Sequence, residues 1–409
     1  MIADCQTIVS KAVPTLPDSP GANRFGPIRI PFLWRCVGVL MCLCLTQQTV
    51  DAAETTPCKP WPRWDNFKTV FISADGRVTD VGSPDSRTVS EGQAYGLFFS
   101  LVANDKPTFE KILNWTQNNL AQGDLSAHLP SWLWGHKQDN SWGVIDANAA
   151  SDADLWIAYT LLQAGRSWHD THLSTLGRAL ALRILSQETA SLPGLGLTML
   201  PGPQGFQTAP DTWRLNPSYV PIEVLRGIET ALPDQTPWSQ LIQTSQNLLT
   251  LTAPHGFAPD WVQYHASGAT GEFVADKKTA ALGSYDAVRV YLWAGMLAPE
   301  DPVAESLRKT FRPMTDYVAA HGYPPEKITT TTGQFGPNAG PPGFSAAVIP
   351  WLLSTGETAR VEAQLTRIND LEAKQPSPYF GQTLMLFGLG WYDKRFQFAP
   401  DGSLHLAWC

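Results

Sequence analysis

The sequence predicts an all-α fold of about twelve helices packed as one domain. Three observations carry that expectation. Apolar residues recur at helix-face spacing along most of the chain, β-branched alternation is scarce, and no low-complexity linker divides the 409 residues. Hydrophobic residues make up 43% and charged residues 16%, enough apolar material for a sizeable core. The net charge is −8 with no Lys/Arg-rich run, which argues against nucleic acid or an anionic membrane surface as partner.

The N-terminal stretch reads as a leader rather than as part of the fold. Arg24, Arg29 and Arg35 precede the apolar run CVGVLMCLCL (36–45), which is too short to span a bilayer. Val50 and Ala52 follow as small residues at a cleavage site after Ala52, the pattern of a secretory signal peptide over 1–52. The expected domain is then 53–409, exported to the periplasm or secreted, with no stable membrane insertion after cleavage. Cys5, Cys36, Cys42 and Cys44 fall in the leader. Cys58 and Cys409 remain, one near each end, as candidates for a disulfide in an oxidising compartment.

Helices are expected in order from a short one near 61–72. Over 91–102, Ala94, Leu97, Phe98, Leu101 and Val102 share one face. Over 107–121 the helix opens on proline and threads Phe109, Ile112, Leu113 and Trp115. The same spacing runs over 151–165, 170–189, 217–232, 237–252, 284–298, 302–321, 344–355, 356–374 and 378–391. HDTH (169–172) is a helix-start surface feature rather than a metal site. The best strand candidates are TVFIS (69–73) and FQFAP (396–400). The links 125–150, 192–218 and 321–343 are long and rich in Gly, Pro, Asn and Trp, and are expected to be cleft walls. The 16 tryptophans divide between two uses, core packing and flat surfaces for sugar rings.

Three acids recur at helix starts. Glu91 follows Ser90 in SEGQAYG, Asp152 follows Ser151 in ASDADLW, and Asp286 follows Ser284 in SYDAVRVYLW. Each taken alone fits the helix dipole, with Ser as the cap. Each also opens an inward-facing stripe beside a glycine or an aromatic, where a solvated carboxylate is not expected. If alternating helices start at one end of a bundle, the three converge. Cleaving an acetal needs one protonated carboxyl for the leaving oxygen and one carboxylate to attack or to activate water. Clustered carboxylates raise each other's pKa and supply the proton-bearing member. Asp154 is expected to complete a capping-box-like turn instead.

SEGQAYG (90–96), ASDADLWIAYTLLQAGRSW (150–168) and SYDAVRVYLW (284–293) resemble glycoside hydrolase family 8. They are most similar to the endo-β-1,4-glucanases found with bacterial cellulose synthases. WTQNNLAQGDL (115–125), LPSWLWG (129–135), NPSYVP (216–221), GFAPDWVQY (256–264), GYPPEK (322–327) and GFSAAVIP (343–350) extend the similarity over roughly 59–408. Thr160 departs from the family's usual Ser or Ala. The resemblance implies an (α/α)6 barrel and inverting hydrolysis of internal β-1,4-glucan bonds. Glu91 would be the general acid, Asp286 the general base, and Asp152 a third acid that holds and distorts the central sugar. Tyr285 and Arg289 would flank the cleaved bond.

Trp132, Trp134 and Tyr219 are further candidates for the groove, with Arg214 and Asn216 for sugar hydroxyls. Trp134 equally fits packing under its loop. This chemistry requires no metal or organic cofactor. The expected partner is a cellulose chain, with functional association to a cellulose synthase complex. Two alternatives stand beside this reading. One is the same fold acting on chitosan, xylan or mixed-linkage glucan. The other is a non-catalytic glucan-binding subunit, which has no need of Glu91 and Asp286 together.

Overall fold

Two kinds of helix alternate along the chain, and their burial separates them. The computed structural model describes residues 60–408 other than position 84. The leader expected over 1–52 and the cysteine pair Cys58 and Cys409 lie outside the described residues. Among the described residues there are thirteen helices: α1 (Pro62–Phe71), α2 (Ser90–Val102), α3 (Lys106–Leu120), α4 (Ser151–Ser167), α5 (Thr171–Gln187), α6 (Ile222–Ala231), α7 (Pro237–Leu251), α8 (Val288–Met296), α9 (Ala304–Thr310), α10 (Arg312–His321), α11 (Pro342–Ser354), α12 (Thr358–Glu372) and α13 (Tyr379–Tyr392).

Helix α8 is buried along its whole length, and α2 from Gly92 to Val102. A helix that is apolar all round belongs inside. By contrast α12 buries only Val361, Gln364 and Ile368, and α5 only a stripe that includes Leu173, Leu176, Leu180 and Ile184. The inner helices pack in sequence, α2 on α4, α4 on α6, α6 on α8, α8 on α11 and α11 on α13. Phe387 of α13 closes the ring against Phe99 and Tyr95 of α2, with ring centroids 4.6 and 5.1 Å apart. The helices α3, α5, α7 and α12 each cover an inner neighbour. The result is an (α/α)6 barrel. Backbones touch where α11 meets α13: a Cβ on Gly388 would lie 2.0 Å from the Ala346 carbonyl oxygen, so only glycine fits there.

Three expected helices begin or break elsewhere. The segment 302–321 is two helices, because Pro313 cannot continue α9 and instead opens α10. The segment 217–232 starts as a 3-10 turn over Pro217–Tyr219, and Pro221 precedes α6. The segment 284–298 is helical only from Val288, which leaves Asp286 in the turn ahead of α8. The serines are not the caps either. Val89 and Ala150 stand at those positions, and the hydroxyls of Ser90 and Ser151 are buried without a partner. In HDTH, Asp170 caps α5 through the His172 and Leu173 amides.

Short strands occupy the links. β1 (Thr88–Val89), β2 (Leu133–His136) and β3 (Trp142–Asp146) form one sheet, and β4 (Thr189–Leu192) pairs with β5 (Gly196–Met199). β6 (Gln207–Ala209), β7 (Thr212–Leu215), β8 (Val262–Ser267) and β9 (Thr270–Ala275) make a four-stranded antiparallel sheet. β10 (Leu282–Gly283), β11 (Ile328–Thr329) and β12 (Gln334–Phe335) form another, and β13 (Phe396–Phe398) pairs with β14 (Leu404–Leu406). The strand expected at 396–400 is thus β13. The one at 69–73 is not a strand: α1 runs through Phe71, and Ile72 makes an isolated bridge to Val78. Eight of the fifteen described tryptophans are buried, and of the rest only Trp142 is an exposed residue. No helix among the described residues is long and apolar enough to cross a membrane.

Glu223 on α6 is 1% exposed, and neither carboxyl oxygen has a partner. Burial pushes its pKa up to about 8. The folded value lies above the unfolded one, so the folded state favours the neutral acid. Its contribution is fully present below the unfolded value of about 4.3 and is lost as pH rises towards 8. We therefore expect Glu223→Gln to flatten the fall in Tm on the alkaline side. Thermal melts of both proteins from about pH 5 to about pH 8 check this.

Candidate active site

Helix α2 begins where it does because the link before it is zipped to a hairpin. Thr88 pairs with Trp134 and Val89 with Leu133, and the Ser90 amide donates to the Trp132 carbonyl at 2.9 Å. This delivers Glu91 into the first turn. Its Oε2 is occluded from solvent and has no partner. Gly92 beside it leaves room for the Tyr379 hydroxyl, which would lie 2.6 Å from a Cβ there. Helix α4 starts with the Ser151 amide donating to the Pro201 carbonyl at 3.1 Å, and its second residue is Asp152, 2% exposed.

Arg289 joins these elements. It is buried on the first turn of α8, and its Nη1 donates to Asp152 Oδ2 at 2.8 Å and to the Tyr95 hydroxyl at 3.3 Å. Its Nη2 donates to Asp286 Oδ1 at 2.8 Å. Its guanidinium carbon lies 5.5 Å from the centre of the Tyr219 ring. Glu91 has no such bond to the cation. Burial first, and then the charges of Asp152 and Asp286, push its carboxyl up to about 8, against the pull of its backbone amide and Arg289. Burial also raises Asp152, but Arg289 opposes it and the value stays at about 6. One buried cation therefore pairs with two acids and leaves the third, Glu91, favouring its protonated form.

Asp286 is held from a segment some 25 residues earlier. Asp260 Oδ1 accepts the amides of Ser284, Asp286 and Ala287 at 2.8, 3.1 and 2.8 Å, and its Oδ2 accepts the Ser284 hydroxyl at 2.6 Å. Asp260 thus caps the turn before α8, the task expected of Ser284. The next residue, Trp261, donates its Nε1 hydrogen to Asp286 Oδ2 at 3.0 Å. One residue fixes the backbone of the turn and its neighbour fixes the side chain. The Asp286 side chain keeps 33% exposure, so the carboxylate still reaches solvent.

The remaining candidates fall in different places. Arg214 makes two bonds to the buried Asp276 and lies 3.8 Å from the centre of the Trp261 ring, so its Nε and Nη2 support the wall rather than point to sugar hydroxyls. Asn216 caps the 3-10 turn that carries Tyr219. Tyr219 packs between Arg289 and Trp261. Trp132 packs partly on the core. Trp134 lies between Trp115 and Trp142 with Arg77 over its ring. Tyr285 is 44% exposed and donates to Glu326 Oε1 at 3.2 Å.

Asp154 does not complete a capping turn. It is fully buried against Glu188 at the end of α5, and burial, then Glu188, raise its pKa well above the usual range. No hydrogen-bond partner reaches either carboxyl. Burial without a partner disfavours the ionised form of both.

A helical barrel that gathers Glu91, Asp152 and Asp286 at one end, with a buried arginine between two of them, supplies the paired carboxyls that a glycoside hydrolase needs. The model for "Glycosyl hydrolases family 8" matches residues 30–394, and this chain belongs to that family. It is 47% identical to an endoglucanase of Xanthomonas axonopodis pv. citri over 87% of this chain and 91% of the relative. It is 44% identical to an endoglucanase of Salmonella typhi over 85% of this chain and 91% of the relative. The crystal structure of an endo-1,4-D-glucanase from Vibrio fischeri ES114 superposes with a TM-score of 0.81 at 44% identity, covering 85% of this chain and 99% of that one.

Sequence reasoning passed over Asp260 and Trp261 although both lie in GFAPDWVQY, because a cap supplied from another segment leaves no local spacing to find. The Trp261 bond predicts a kinetic signature. Trp261→Phe should lower kcat about tenfold with little change in KM, since it loosens Asp286 rather than the substrate. Asp260→Asn should lower kcat more, as it disturbs the whole turn. Steady-state kinetics on a soluble β-glucan check both.

Proposed function

We propose that the chain is an endo-β-1,4-glucanase that cleaves internal bonds of cellulose or soluble glucan chains with inversion. The observation that carries this reading is the division of labour among the acids around Arg289. Glu91, unpaired and raised to about 8, holds the proton that a leaving sugar oxygen must receive. Asp286 is the general base. Arg289 and Trp261 each take one lone-pair direction on its two oxygens, and partial exposure leaves others for a water. Asp152, paired to Arg289, holds the sugar at the bond and favours its distorted ring. An inverting reaction has no covalent enzyme intermediate, so Asp152 does not attack.

The relatives named endoglucanase support β-1,4-glucan as the substrate class. The Arg-flanked apolar run at 36–45 supports export. The family resemblance of the three acid motifs supports service to a cellulose synthase, trimming the chains it makes.

The test uses carboxymethylcellulose with wild type, Glu91→Gln and Asp286→Asn. Viscosity should fall faster than reducing ends appear in wild type, and both folded variants should lose at least about a thousandfold in kcat. Variants as active as wild type would contradict the acid–base assignment. A wild type inert here but active on chitosan or xylan would contradict the substrate class. The pH dependence follows from the acid. Glu91 must be protonated, so activity should persist through neutral pH and decline on the alkaline side around pH 8, as the folded carboxyl ionises. A kcat/KM profile checks this.

A further inference from the structure

The most exposed tryptophan among the described residues belongs to no contact described for the three acids. Trp142 opens β3 and is 51% exposed. Its ring is nonetheless fixed. It stacks on Trp134 at 5.5 Å with the planes 24° apart, His136 meets it edge-on at 5.2 Å, and the Arg77 guanidinium lies 5.0 Å from its centre. The hairpin register explains the grouping. Trp134 pairs with Val144 and His136 with Trp142, so these side chains share one face, and Trp134 reaches Trp142 on the diagonal. Arg77 is itself tied down, its Nε donating to the Thr88 hydroxyl at 2.8 Å.

A large indole held on several sides and open on another is pre-ordered, and it loses little entropy when something flat binds. The hairpin is the one zipped to Glu91: Thr88 faces Trp134, and the Trp132 carbonyl accepts the Ser90 amide. The platform is therefore fixed to the element that carries the acid. On the other side of the site, the exposed Tyr285 ring directly precedes Asp286. One exposed aromatic ring thus sits on the hairpin joined to the start of α2, and another directly precedes Asp286.

We propose that Trp142 is a remote stacking platform for a pyranose ring of the glucan chain, on the Glu91 side and outside the two rings that flank the cleaved bond. The axial C–H face of a β-1,4-linked glucose is flat and apolar, and the open indole face matches it. This inference rests on the glucanase reading above. The platform makes affinity depend on chain length, because only a chain that extends past the acid reaches the hairpin.

The test is calorimetric titration of cellohexaose and cellotriose into the inactive Glu91→Gln protein, with and without Trp142→Ala. We expect about a tenfold loss for cellohexaose and a clearly smaller loss for cellotriose, with Trp142→Phe restoring most of the affinity. Equal losses for both sugars, or no loss for either, would overturn the platform. Where the variant has a lowered Tm, the Trp142→Phe comparison separates stacking from folding. Failure of the glucanase reading looks different: the parent protein would bind neither sugar and wild type would not thin carboxymethylcellulose.

Discussion

The buried guanidinium of Arg289, held between Asp152 and Asp286 at 2.8 Å each, is the interaction on which the site depends. Three carboxyls converge and one buried cation answers them. Full ionisation would leave uncompensated negative charge in a place that water reaches poorly, a costly arrangement. The least costly solution keeps one carboxyl neutral. Arg289 selects which one by bonding to the other two. Glu91 is unpaired, so it retains its proton. The same interaction that stabilises the folded site thus separates Glu91 from the two paired acids. Removing the arginine would strip both partners at once, a change of the kind that costs roughly 3–5 kcal/mol when one partner of a buried pair is lost.

The barrel makes that convergence available. Inner helices that are buried all round cannot slide or rotate without disturbing packed neighbours, so their first turns are fixed points. Glu91 and Asp152 sit on such turns. Asp286 does not, and the protein supplies rigidity there by other means. Asp260 binds three successive-turn amides and Trp261 binds the carboxylate, with Trp261 in turn backed by Arg214 and Asp276. Glu91 is thus carried by a helix and Asp286 by a braced turn, and Arg289 ties Asp286 to Asp152 on the neighbouring inner helix.

Much of this was legible in the chain. The apolar spacing over 91–102 and 151–165 locates α2 and α4, and with them Glu91 and Asp152, because local periodicity and burial agree there. Proline decided two of the places where the expectation failed, at Pro313 and Pro221, and at the third the turn held by Asp260 delays α8 to Val288. The sheets in the links were harder to see. Their strands run two to six residues and many are half exposed, so they carry no apolar alternation. The roles of Asp260, Trp261, Asp154 and Arg214 depend on partners distant in sequence, or on burial that no single stretch reveals. Arg214 illustrates this: an arginine among loop aromatics suggests sugar contacts, but Asp276, brought alongside by the four-stranded sheet, claims it.

The central claim is that burial and the charge of its neighbours keep the proton on Glu91, while Arg289 pairs with the other two acids. Direct titration of the Glu91 carboxyl tests it, by carbon-detected NMR of the labelled side chain, assigned with Glu91→Gln, in wild type and in Asp152→Asn. The account predicts a midpoint near 8 in wild type. It predicts a lower midpoint in Asp152→Asn, where one neighbouring negative charge is gone and Arg289 remains. A wild-type midpoint in the ordinary carboxylate range, or one that does not move in Asp152→Asn, would contradict it.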